Sequence, residues 1–292
     1  MLGPIGLDSF SVHRYFGEHS RWEQPLTTRW QTSDFLDLVD RLDCAVASLE
    51  TVYLGTDDEA LYEQLQAWQV RTGRSCLFTW GHPDGLRGGM NPAAADDAQR
   101  YLHLSRELGA TDMRIVCGNH HQWDVDPAQR RRVLRPLLER LADVGGEAGV
   151  RVSVENHADF TVTALVSFLE EIGHPNLGLC LDTGNCLRTG ERPATVLAEI
   201  DMSRIFMVQA KDVRLLPGAD HPVGWWPTTR FGTGDVDMAG CLRRLDEGAF
   251  TGPLVIELSN LWTGLTEIDE IEYAVDFLHR WHLPESPRHP AG

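Results

Sequence analysis

No cysteine in this chain pairs with another as C-x-x-C, and no glycine-rich phosphate loop follows its first apolar run. The first absence speaks against a thiolate zinc ribbon or a dithiol redox site. The second speaks against a dinucleotide-binding open sheet. No apolar run approaches the roughly 18 residues that a spanning helix needs. The start, MLGPIGLDSF, lacks a basic stretch followed by an apolar one, so no secretory signal is expected. Positive charge is scarce: 26 Lys and Arg stand against 43 Asp and Glu, a formal net charge of −17. Such a surface repels phosphate backbones and anionic membranes, so nucleic acid and membrane are not expected partners. Cationic side chains near a functional mouth are expected to be few. Of the six cysteines four fall within or beside apolar runs, as small hydrophobes do, and all read as reduced thiols in a cytoplasmic protein.

What is present is a rhythm. Short apolar runs, PIGLDS (4–9), AVASLE (45–50), CLFTW (76–80), MRIVCG (113–118), RVSVEN (151–156), LGLCLD (177–182), RIFMVQAK (204–211) and PLVIELS (253–259), read as eight strands. Amphipathic stretches at 33–43, 57–73, 92–109, 127–149, 161–173, 191–200, 238–248 and 266–282 read as helices. Ser33 is the expected cap of the first, and Pro136 is expected to kink the fourth. The run Arg130–Arg132 reads as a solvated face. Eight strand-then-helix units in 292 residues predict an α/β fold, a single (β/α)8 TIM barrel over 1–283, with a Pro-rich disordered tail at 284–292.

In such a barrel the functional face lies at the carboxyl ends of the strands. Those ends carry Glu50, His120 and His121, then Glu155 and His157, Asp182, Gln209 with Lys211 and Asp212, and Glu257. Glu155, Asp182 and Glu257 at one mouth would repel one another without a cation, and a divalent metal resolves this. Oxygen donors suit Mn²⁺, Mg²⁺ or Co²⁺ better than a thiolate-type zinc site. Each residue alone has a plainer reading. Asp182 caps a following helix equally well, and Glu155 pairs equally well with a Lys or Arg. His157 is a metal neighbour, a substrate contact or a satisfied loop histidine, and one of His120 and His121 is a satisfied histidine. GTGDVD (232–237) is a glycine turn in which Asp235 can cap the next helix. RYFGEH (14–19) and Trp225–Trp226 wall a pocket or form an interface; the aromatics make a homo-oligomer an open expectation.

VENH, LDTGN, QAKD, GTGDVD and VIELS, in this order and spacing, resemble the sugar phosphate isomerase/epimerase family of the xylose-isomerase-like barrel superfamily, most clearly over 150–260. The resemblance implies a divalent metal, Mn²⁺ first and Mg²⁺, Co²⁺ or Zn²⁺ after it. It implies Glu155, Asp182, Gln209 and Glu257 as ligands. It implies Glu155 and Glu257 as the acid/base pair, and His157, Lys211, Arg214 and His120 as substrate contacts. The implied substrate is a keto sugar or related polyol, isomerised or epimerised by proton abstraction beside a carbonyl. A dehydratase, a C-glycoside-cleaving lyase and a non-catalytic sugar- or partner-binding barrel remain alternatives. An endonuclease IV-like activity is disfavoured, because Asn185 and Gln209 stand where histidines would be needed. The family pattern on strand seven is H-x-K-D, so Gln209 implies a looser site, a changed metal preference or loss of the metal.

Overall fold

The computed structural model describes residues 2–54, 59–122, 124–216 and 226–282. Eight parallel strands close into one barrel in sequence order. They are β1 (Ile5–Asp8), β2 (Val46–Glu50), β3 (Ser75–Trp80), β4 (Asp112–Ile115), β5 (Arg151–Glu155), β6 (Leu177–Asp182), β7 (Ile205–Ala210) and β8 (Leu254–Ile256). Between them run α1 (His13–Phe16), α2 (Thr32–Arg41), α3 (Glu59–Thr72), α4 (Ala94–Glu107), α5 (Pro127–Ala148), α6 (Val162–Ile172), α7 (Thr183–Arg188), α8 (Pro193–Glu199) and α9 (Met238–Glu247), with α10 (Glu267–His282) last. The expected (β/α)8 barrel is what forms. The expected tail at 284–292 and Trp225 lie outside the described residues.

The large apolar core lies between strands and helices, where Phe35, Phe78, Leu102, Leu138, Phe168 and Leu278 are fully buried. The barrel interior is separate, because alternate strand residues point inward. Its lower layer is apolar: Val46, Leu77, Cys180, Met207 and Val255. Two residues further along the same strands the interior turns polar, with Ser48, Asp182, Gln209 and Glu257. This change along each strand is what sets the site at the carboxyl ends.

Several local expectations need correction. α2 begins at Thr32, so Ser33 is inside the helix; Asp34 instead accepts from the Gln31 backbone N–H at 2.7 Å. α5 runs through Pro136 as one helix. Arg130 is no solvated residue. It is buried, donates to the Asp159 carbonyl and stacks over Phe160 at 4.5 Å. α9 is capped by Asp237, which accepts from Gly240 N–H at 2.8 Å, while Asp235 accepts from Leu215 N–H.

GTGDVD has a structural role that explains why it accompanies QAKD. The buried Asp212 carboxylate accepts from the backbone N–H groups of Gly232, Gly234 and Val236 at 2.8, 3.1 and 3.2 Å. A Cβ on Gly234 would lie 2.1 Å from Asp212 Oδ1 and 2.6 Å from the Val213 carbonyl oxygen. Gly234→Ala is therefore expected to lower stability by about 1–3 kcal/mol, as overpacking does. Urea unfolding reads it, and an unchanged midpoint would show that the turn moves freely enough to admit a methyl.

Candidate active site at the carboxyl ends of the strands

A cavity of about 490 Å³ opens at the carboxyl ends, walled by Phe10, Trp22, Glu50, Arg114, His120, Glu155, His157, Asn185, Arg188, Lys211, Trp226 and Glu257, among others. Glu155 ends β5 and Glu257 follows β8 by one residue, so both carboxylates reach the same space. Two backbone stitches hold the β5–β6 rim. Asn156 donates from Nδ2 to the Asp182 carbonyl at 3.0 Å and accepts from Asp182 N–H at 2.7 Å. Asn185 then donates to Glu155 Oε1 at 2.9 Å.

The opening expectation of uncompensated carboxylates is corrected here, because the chain supplies its own cations. Arg114, on β4 and 3% exposed, bonds to Glu50, lies with Nε 3.1 Å from Glu155 Oε2 and has Nη2 4.0 Å from Glu257 Oε2. Lys211 stands between the other two: its Nζ is 2.9 Å from Asp182 Oδ2 and donates to Glu257 Oε1. Gly184 makes room for it, since a Cβ there would meet Lys211 Cδ at 2.9 Å. Asp182 meets its plain reading, capping α7 through Asn185 N–H at 2.8 Å, and it also faces a positive charge.

The burial of these groups drives their protonation apart. Burial, opposed by Arg114 and reinforced by Glu257 and Asp182, pushes the Glu155 carboxyl up to about 8. Burial would raise Glu257 as well, but Lys211 and then Arg114 outweigh it and hold Glu257 below the ordinary range. Burial holds Glu50 well above that range even against Arg114. His157 Nδ1 lies 2.9 Å from the Gly118 carbonyl oxygen, so this nitrogen carries the hydrogen and Nε2 is left as an acceptor. Burial, then Arg188, keeps that ring neutral by lowering its pKa well below the ordinary value.

Other expected site residues fall as follows. Gln209 is fully buried; its Nε2 donates to Glu257 and its oxygen faces the Cys180 thiol at 3.4 Å. Its oxygen is thus turned from the carboxylates, because an ionised Glu257 demands the amide N–H. Arg214 is corrected as a substrate contact: its guanidinium donates to the Thr233 carbonyl, its N–H bonds to Pro227, and it is not on the cavity wall. In 14–19, Arg14 pairs with Glu267 and Phe16 stacks on Tyr53, and neither lines the cavity. His120 and His157 do line it. Arg114, Arg188 and Asn185 were not singled out from the sequence as site residues. A lone arginine inside the apolar run MRIVCG was the available signal for the first.

Among the described residues no three His, Cys, Asp or Glu side chains already converge at metal-holding spacing. The donor set still suits a hard divalent ion: Glu155, Asp182 and Glu257 offer oxygens, and Gln209 would add one on turning its amide over, since its oxygen now faces Cys180. Asp182 Oδ2, sealed from solvent, has the Lys211 ammonium at 2.9 Å as its partner. The Lys211 ammonium already neutralises Asp182 and Glu257, so a cation held by those two carboxylates would compete with it.

Comparison with known proteins places this architecture. A family model described as a xylose isomerase-like TIM barrel matches residues 34–281. A 3-dehydroshikimate dehydratase of Pseudomonas putida is 30% identical over 184 residues, 61% of this chain and 28% of that protein. A second such dehydratase, from Pseudomonas aeruginosa, is matched over 26% of its length, so the chain spans about a quarter of these relatives. A ketose 3-epimerase of Arthrobacter globiformis is 26% identical over 212 residues, 65% of this chain and 68% of that one. Among solved structures, the IOLI protein with a bound zinc atom superposes with a TM-score of 0.72 at 15% identity, covering 94% of this chain and 96% of that chain. No described helix is long and apolar enough to cross a membrane.

Proposed function

The chain belongs to the xylose isomerase-like TIM-barrel family, and from that premise we propose that it is a metal-dependent enzyme that moves a proton beside the carbonyl of a small keto sugar or related polyol. The carrying observation is that Glu155 and Glu257 reach one cavity from strand ends three positions apart around the barrel. As an isomerase or epimerase, one carboxylate removes the proton from the carbon next to the carbonyl and the other returns one. His157 Nε2 and Asn185 orient substrate hydroxyls, and the aromatic rings of Phe10, Trp22 and Trp226 exclude water from the reacting carbon.

A divalent ion, with Mn²⁺ preferred over Mg²⁺, Co²⁺ or Zn²⁺, would be held by Glu155, Asp182, Glu257 and the Gln209 oxygen. The zinc in the structure of the IOLI protein supports this. Bound there, it would supply the positive charge that acidifies the C–H beside the carbonyl. A dehydratase is the second reading, favoured by the match to the Pseudomonas enzymes. In it the second carboxyl protonates a departing β-hydroxyl instead of the carbon. The six buried cysteines, none in a disulfide, support a reduced, cytoplasmic setting.

The test is elemental analysis of purified protein beside its Glu257→Gln variant, followed by solvent-deuterium exchange into keto sugars and keto acids. About one metal per chain, weakened in the variant, with exchange lost alongside it, is the expected result. Neither metal uptake nor exchange with any keto compound would sink the reading. Products then separate an epimer from a dehydrated ketone.

A further inference from the structure

Arg188 in the cavity wall lacks a carboxylate partner among the described residues. Arg188 closes α7, and among the described residues no carboxylate lies within 4 Å of its guanidinium, unlike Arg114 and Lys211. Its partners are neutral. Nη1 donates to Asn185 Oδ1 at 3.0 Å and Nη2 lies 3.4 Å from His120 Nδ1. The guanidinium stacks on the Trp226 ring at 4.1 Å, and Nε is sealed from solvent without a hydrogen-bond partner. Burial works against its charge and lowers its pKa to about 10, which still leaves it cationic at neutral pH. Arg188 and its neighbours Asn185, His120 and Trp226 all line the same cavity as Glu155 and Glu257. A partly desolvated guanidinium with unused N–H donors is costly unless an anion completes it.

We propose that Arg188 receives a carboxylate of the substrate, so that the compound handled by this site is a polyhydroxylated keto acid rather than a neutral sugar. The proposal rests on the proton-transfer reading above and narrows its substrate class. A carboxylate fits better than a phosphate monoester. Arg188 offers one positive charge, its companions His120 and Asn185 are neutral, and the same cavity holds Glu257, kept ionised by Lys211 and Arg114, which a dianion would meet unfavourably. The planar guanidinium, held flat by Trp226, matches a planar carboxylate.

The experiment is calorimetric titration of the wild-type protein with 2-keto-D-gluconate and with D-fructose, which differ at C1 by carboxylate against hydroxymethyl, and with fructose 6-phosphate. Wild type is expected to bind the keto acid at least about tenfold tighter than fructose. Arg188→Gln is expected to remove that preference, weakening the keto acid at least about tenfold more than fructose. Arg188→Lys, which keeps the charge but not the planar fork, is expected to retain part of it. Such partial rescue would not follow from a merely structural loss. Equal binding of keto acid and ketose, an unaltered preference in Arg188→Gln, or a stronger preference for the phosphate overturns the proposal. The titrations need no turnover. An Arg188-dependent preference without deuterium exchange would therefore sink the proton-transfer reading alone, and exchange into fructose without any preference would sink this one alone.

Discussion

Arg114→Met is expected to cost about 3–5 kcal/mol of unfolding free energy, the usual result of leaving a buried charge without its partner. The guanidinium serves Glu50 and Glu155 directly and reaches toward Glu257, and it counteracts the burial of Asp8. Methionine fills similar volume, so the loss reports charge rather than a void. Urea unfolding in the presence of a chelator measures it, and a loss below about 1 kcal/mol would show that these carboxyls are already neutral. Adding Glu50→Gln should recover part of the loss, as contacting residues are not additive. The pH dependence has a definite sign. Glu50 has a folded pKa above its unfolded one, so the folded state holds the extra proton between the two values. Stability then falls as pH rises through that window, and the deficit of Arg114→Met should be smaller near about pH 5 than near about pH 8.

Lys211→Met should have the opposite signature toward metal. Without metal it strands Asp182 and Glu257 and should destabilise the barrel by about 3 kcal/mol. With the ammonium gone, the competitor for the position between those carboxylates is gone too. Mn²⁺ is therefore expected to bind the variant about tenfold or more tightly than wild type. Metal should also return most of the lost stability, since ligand binding to the folded state raises it. Calorimetric titration and a melting curve with and without Mn²⁺ read both effects without a substrate. Weaker binding in the variant would mean that Lys211 does not compete for that position.

The sequence made the barrel and the two strand-end carboxylates legible because both are local in pattern: short, buried apolar runs, with Glu155 and Glu257 at or just past the ends of two of them. Helix starts were less legible, as at Gln31 and Asp237, because neighbouring polar residues offer competing caps and only the turn geometry chooses. The internal cations were invisible for a different reason. Glu50 and Arg114 are 64 residues apart, and Lys211 and Glu257 are 46 apart. A charge at the end of a strand shows that compensation is needed without showing where it comes from. Lys211 was expected to touch substrate; it lines the cavity, and its ammonium also pairs with Asp182 and Glu257, which the sequence did not show. Arg188 carries no periodic signal at all; its meaning arises only once α7, Trp226 and the Asn185 side chain meet around it.

The excursion after β7 is closed at its base. Val213 bridges Thr228, Arg214 N–H meets the Pro227 carbonyl, and Thr229 N–H meets Asp212, whose carboxylate also ties down 232–236. A loop whose ends are already joined tolerates changes of length cheaply: doubling it costs only about 0.6 kcal/mol in closure entropy. A change of length between the two ends is therefore expected to leave Lys211 and the carboxylates in their places. The joined flanks act as a clasp that separates the length of this connection from the geometry of the strand ends.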